Sequence, residues 1–310
     1  MRPFRFGVNV RTAASAADWA DKARKVERLG YSVLLVPDHL AELFAPFPAL
    51  AAAAAATTRL RIGTGVLNND LRHPVLTARD AATLDVLSDG RLELGVGAGH
   101  MRSEYEQAGI AFDPGVTRIE RLAEAVGIVK RLLEGETVTF TGRHYRVSGH
   151  TLHPRPKQRP RPPLLIGGNA PPVLSVAAAE ADIVGLTGIT FRRGGTAPDV
   201  ADFRASVVDE RVRLVRETAG PRFAQLELNA LVQRVIVTES RGKAVDELVA
   251  CWPQLTADDL LASPYVLVGT VDQMVDDLRA RRERWGISYV MTHEAFMDAL
   301  APVVERLAGR

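Results

Sequence analysis

Val33-Leu34-Leu35-Val36-Pro37-Asp38-His39 is an unbroken apolar run that ends on a proline, a carboxylate and an imidazole. Four consecutive apolar residues with no polar alternation fit a strand buried on both faces, as a helix-covered parallel sheet requires. Upstream lie a strand-like Phe4 to Val10 and an amphipathic Asp18 to Leu29 stopped by Gly30. Downstream come an Ala-rich helix through Ala49 to Ala56, a strand from Leu60 to Leu67, a helix from Pro74 to Leu87 and a strand from Arg91 to Val96. Short apolar strands alternating with helices build right-handed βαβ units.

The alternation then loosens. Val116 to Leu133 reads as a helix, and two alternating runs around Thr141-Gly142 read as an antiparallel hairpin outside the main sheet. His153 to Pro163 is too rich in proline to be regular. Strands resume at Leu164 to Ile166, Ile183 to Leu186, Gln225 to Val237, Val266 to Val268 and Ser288 to Met291, with helices between them. About eight parallel strands over 310 residues fit a (β/α)8 TIM barrel with insertions after strands 4 and 6. A doubly wound sheet is the competing architecture. No linker of shifted composition divides the chain, so residues 1–310 are expected to form one domain.

Composition narrows the function. The 39 basic and 37 acidic side chains leave a formal charge of +2, too small a field to favour nucleic acid. No apolar stretch approaches the ~18 residues of a membrane span, and the start lacks the apolar core of a secretory signal. A cytoplasmic protein acting on a small molecule is expected. The single cysteine, Cys251, excludes an intrachain disulfide and a cysteine metal cluster, and it reads as a small buried hydrophobe. No metal site is expected.

In a barrel of this kind, chemistry gathers where strands end. Strand two ends at Asp38-His39, strand four at Gly97-Ala98-Gly99-His100, strand five at Gly167-Gly168-Asn169 and strand eight at Thr292-His293. Asp38 with His39 offers acid/base groups; the bland alternative is that Asp38 caps the next helix and His39 packs on it. Gly95-Val-Gly97-Ala-Gly99 lacks dinucleotide spacing, but its small residues let a flat ligand approach the backbone. Gly167-Gly168-Asn169, placed before a helix, suits a phosphate as well as an ordinary turn. The Gly/Arg/Pro stretch from Phe191 to Pro198 follows strand six and is expected to act as a lid.

Several ordered segments carry a family resemblance: Thr58-Arg-Leu-Arg-Ile-Gly-Thr-Gly-Val66, Arg72-His-Pro74, Leu87-Ser-Asp-Gly-Arg91, Leu94-Gly-Val-Gly-Ala-Gly99, Glu104-Tyr105 and Leu267-Val-Gly-Thr270. With Asp38-His39 and Ile166-Gly-Gly168, the chain resembles the bacterial luciferase-like flavin and deazaflavin oxidoreductases from about Phe4 to Leu307. The resemblance implies a (β/α)8 barrel and, in its closest branch, the deazaflavin coenzyme F420, with FMN as the alternative. It further implies that Asp38 lies against the ring edge and orients a proton-transferring histidine, that His39 serves substrate or proton, and that Gly65-Val66 backs the ring. Ala98, Gly99, Gly167, Gly168 and Asn169 would hold the ribityl chain and phosphate. His100 stands where sugar-phosphate dehydrogenases of that branch carry a glutamate, so it is the third catalytic candidate and their substrate is not carried over. The resemblance also implies a bulge in strand three with a cis peptide at Gly65-Val66, and a homodimer pairing through the Ala49 to Ala56 helix. Two other readings remain: an FMN-dependent monooxygenase, and a non-catalytic cofactor-binding subunit.

Overall fold

The structure is a computed structural model that describes residues 1–191 and 198–310. Eight parallel strands close into a barrel: β1 (Arg5–Asn9), β2 (Val33–Val36), β3 (in two segments, Arg61–Thr64 and Leu67–Asn68), β4 (Leu92–Gly97), β5 (Leu164–Gly168), β6 (Ile183–Leu186), β7 (Glu227–Val232) and β8 (Ile287–His293). Closure is made where β1 lies between β8 and β2, with Val8 opposite both Thr292 and Leu34. This is the (β/α)8 architecture expected.

The apolar run of β2 divides by period two. Val33 and Leu35 point into the barrel with Leu165, Ile183, Tyr289 and Met291, while Leu34 and Val36 join the layer under the helices. Both faces are buried, so no polar residue is tolerated until Pro37 ends the ladder.

Strand three is broken as expected. Ile62 and Gly63 face Leu92 and Glu93, whereas Leu67 and Asn68 face Val96 and Gly97. β3 therefore spends one residue more than β4 over this stretch, which is a bulge, and the Gly65-Val66 peptide within it is cis. The Thr64 hydroxyl repairs the ladder: it donates to Gly95 O at 2.7 Å and accepts from Gly95 N at 2.8 Å.

Helix Gly115–Glu134 and the hairpin of Thr137–Thr141 with Arg146–Thr151 lie between β4 and β5, outside the barrel sheet. The Glu124 carboxylate accepts the backbone N–H groups of Arg143, His144 and Tyr145, which fixes the hairpin tip to that helix. Two expectations are corrected. Gln225 to Val237 is not one strand, because Gln233 N donates to Tyr265 O and the chain leaves the barrel there. Arg234–Val237 then pairs in parallel with Val266–Gly269 in a small side sheet, an insertion after β7 that the strand count had absorbed. Cys251 is exposed rather than buried, because it falls on the outer face in the last turn of helix Arg241–Cys251. Residues 192–197 of the expected lid lie outside the described residues; Phe191 and Pro198 at its ends pair antiparallel.

Charge plugs the N-terminal end of the barrel. Glu93 is buried and accepts from Arg5 at 2.5 Å and Arg61 at 2.7 Å, while Arg5 also grips Glu227 through two nitrogens. Burial alone would raise the Glu93 carboxyl, but Arg5 and Arg61 overcome it and hold it below its ordinary 4.5. Its contribution to stability is thus complete above pH 4.5 and is lost as pH falls through the lowered value. Glu93→Gln should cost about 2–4 kcal/mol in urea unfolding at pH 7, because Arg61 loses its counter-charge while Arg5 keeps only Glu227. The gap to the wild type should narrow in acid.

Candidate active site

The C-terminal mouth is floored by one side chain. Val66, thrown inward by the bulge, occupies space that any side chain on three glycines would need. A Cβ on Gly97 would lie 2.9 Å from a Val66 methyl, and one on Gly95 or Gly167 would lie 3.1 Å away. At Gly95 the Thr64 carbonyl is tighter still, 2.1 Å from where the Cβ would lie, so backbone and floor together exclude a side chain there. Gly168 has a different reason, since a Cβ there would meet Val173 at 2.4 Å, where helix Pro171–Glu180 packs on β5.

Asp38 is committed to the ends of two strands. It is buried, accepts from Asn68 N at 3.0 Å, and pairs with Arg72 at 2.5 and 3.3 Å. It therefore bolts the end of β2 to the end of β3. It does not orient His39, and the next helix, Pro46–Ala56, begins at Ala45 without it. The partner was not foreseen because Arg72 follows a turn, Asn69–Leu71, whose direction only the fold sets.

His39 turns to a different acid. Its Nδ1 lies 2.9 and 3.2 Å from the two carboxylate oxygens of Glu104, which belongs to helix Arg102–Gln107 and is almost completely buried. His39 also meets His100 edge to face, with ring centroids 5.3 Å apart. His100 is exposed by area, yet desolvation, with the charges of His39 and Arg118, pushes its imidazole down to about 4. It is neutral at physiological pH. The two candidate histidines are thus brought together, and Glu104, quoted only as part of a motif, joins them. Helix Arg102–Gln107 had to fold back towards β2 for this to occur, which residue spacing does not reveal.

Below this pair the polar groups interlock. Tyr105 OH lies 2.9 Å from Asn68 Oδ1 and 3.1 Å from Asp70, and Asp70 pairs with Arg121 at 2.9 Å. Burial, aided by Asp70, pushes the Tyr105 phenol up to about 12, so it stays a donor. Gly99 sits at φ +72°, its carbonyl accepting from Arg118. Asn9 Oδ1 is buried without a partner, 2.7 Å from where a Cβ on Gly65 would be. Asn169 spends its side-chain amide on Asp202, and Pro171 and Pro172 carry no N–H, so the strand-five turn can offer an anion little beyond its backbone. His293 lies apart from the histidine pair, held by Gln233 at 3.0 Å; burial with the nearby Arg11 and Arg234 pushes it down to about 4.

Small residues, a buried unpaired acceptor and two facing imidazoles thus gather at the strand ends of the barrel. The model of the luciferase-like monooxygenase family matches residues 1–255, and the chain belongs to that family and is an enzyme of its class. It is 30% identical over 299 residues, 87% of this chain and 76% of the relative, to 4-hydroxyprotoasukamycin monooxygenase of Streptomyces nodosus subsp. asukaensis. It is 34% identical over 189 residues to F420-dependent glucose-6-phosphate dehydrogenase of Nakamurella multipartita, a match spanning 58% of this chain and 55% of that relative. The coenzyme F420 dependent tetrahydromethanopterin reductase from Methanopyrus kandleri superimposes with a TM-score of 0.78 at 17% identity, over 99% of this chain and 98% of that one, a likeness of fold. No helix among the described residues is long and apolar enough to cross a membrane.

Gly99 offers a direct test of the cradle. A Cβ there would meet Tyr105 OH at 2.0 Å and Asn68 Oδ1 at 2.5 Å, and the backbone is left-handed. Gly99→Ala should cost about 1–3 kcal/mol of stability and weaken ligand binding, while Gly127→Ala, in open helix surface, should stabilise by about 0.5–1 kcal/mol. Urea midpoints of the two variants check both.

Proposed function

We propose that this enzyme moves a hydride between coenzyme F420 and a small organic substrate at the C-terminal mouth of the barrel. The observation that carries the reading is the pair of imidazoles, His39 and His100, meeting edge to face at the ends of β2 and β4. Hydride exchange at a carbon bearing oxygen or nitrogen needs a proton acceptor or donor beside it, and imidazoles fill that role. When bound, the deazaflavin supplies the hydride from its ring carbon. The chain's part is placement. Gly65 and Val66 form the surface a flat ring would lie on, and Asp38 fixes the adjoining strand ends. The backbone of Ala98, Gly99, Gly167, Gly168 and Asn169 would hold the side chain and phosphate. His100, kept neutral, takes a proton rather than giving one at pH 7. The F420-dependent dehydrogenase among the relatives supports this cofactor.

A second reading, an FMN-dependent monooxygenase, is favoured by the longer match to 4-hydroxyprotoasukamycin monooxygenase. Titration with F420 and then FMN, followed by ring absorbance and fluorescence, separates the two. Micromolar or tighter binding of F420 and weaker binding of FMN are expected; tight FMN binding with substrate-dependent oxygen consumption establishes the second reading instead. His39→Ala and His100→Ala should each lower turnover by ~10²-fold with cofactor affinity retained.

The chain is further proposed to act as a homodimer. Within the protomer Ala49, Ala53 and Ala54 are already buried, so the surface this helix has available for pairing is the exposed row of Pro48, Ala52 and Ala55. Light scattering at micromolar concentration should return twice the 33.6 kDa chain mass; a single-chain mass would refute the pairing.

A further inference from the structure

Glu104 is a carboxylate with almost no exposed surface: His39 Nδ1 meets its Oε2 at hydrogen-bond distance, 3.2 Å, while Oε1, 2.9 Å from the same nitrogen, has no hydrogen-bond partner. An ionised carboxylate can only accept hydrogen bonds, and burial without a donor would be strongly unfavourable. The nitrogen facing it therefore carries a hydrogen. We propose that Glu104 is a positioning residue that keeps a hydrogen of His39 on Nδ1, so that Nε2 is the nitrogen that exchanges the proton of the site. The inference rests on the reading of His39 as a proton-transfer group and adds to it which nitrogen acts and what selects it. Free neutral histidine favours the opposite tautomer, protonated at Nε2, which would set a bare nitrogen against the carboxylate. The arrangement follows the general rule that the second ring nitrogen's hydrogen bond decides what the first can do.

The test uses the full chain labelled with ¹⁵N-histidine and no cofactor. At pH 8 an ordinary imidazole is neutral, and long-range ¹H–¹⁵N correlations distinguish hydrogen-bearing from bare ring nitrogens. Of the seven histidines, His39 is assigned by the signal lost in His39→Gln. The wild type should show a hydrogen on Nδ1. Glu104→Gln keeps a carbonyl oxygen at the same place and should retain that hydrogen, whereas Glu104→Leu should move His39 mostly to the tautomer bare at Nδ1. With substrate and cofactor, Glu104→Leu should lower kcat about tenfold or more with KM little changed, and Glu104→Gln should recover most of the loss. A wild-type His39 bare at Nδ1, or an Nδ1 hydrogen unmoved in Glu104→Leu, overturns the proposal. The Nδ1 hydrogen as expected beside full turnover in His39→Ala overturns instead the functional reading on which the proposal rests.

Discussion

An eight-stranded barrel has an interior just wide enough for side chains to fill, and how that width is allotted along the axis governs everything else in this molecule. At the N-terminal end it is given to charge: Arg5, Arg61, Glu93 and Glu227 close the barrel with an ionic plug, and Arg5 lies 3.8 Å over the Tyr289 ring. Midway it is given to apolar side chains from β2, β5, β6 and β8. Towards the C-terminal end the glycines of β4 and β5 make room, at Gly97 and Gly167 for the Val66 side chain.

Above that floor, each acid is committed. Asp38 belongs to Arg72 and Asn68, Asp70 to Arg121 and Tyr105, Glu104 to His39. Buried carboxylates are stable only when paired in this way, and the pairing gives the strand ends their rigidity. Asp38 and Glu104 thus exchange the roles that adjacency would assign: the residue next to His39 in the chain serves the frame, and the one 65 residues away serves the histidine.

The parts legible in the sequence were those set by local pattern. Val33 to Val36 announced a strand covered on both sides, and the hairpin around Thr141-Gly142 lay outside the sheet as its alternation required. The bulge and the cis bond at Gly65-Val66 followed from resemblance and are present. What escaped were features decided by neighbours distant in the chain. Gln225 to Val237 looks continuous because both halves are strands; only the Tyr265 carbonyl shows that they belong to different sheets. The ladder broken by the bulge is mended by the Thr64 hydroxyl, and Asn68 serves Asp70 and Tyr105, pairings set by the fold and not by spacing. Asn169 looked like an anion ligand until Asp202, 33 residues on, was found to hold its amide.

The hairpin after helix Gly115–Glu134 stands on two supports: Glu124 gathers three backbone donors at its tip, and the Tyr145 hydroxyl accepts from Asn69 at 3.2 Å. Its strands are otherwise largely in solvent, and exposed connections of this kind tolerate changes of length at little cost. The tip reaches the end of β3 without contributing to the floor. Rebuilding it would reshape the doorway while the Val66 surface and the imidazole pair stay where they are. Members of such a lineage can then diverge in which molecules they admit, and keep in common what is done to them once inside.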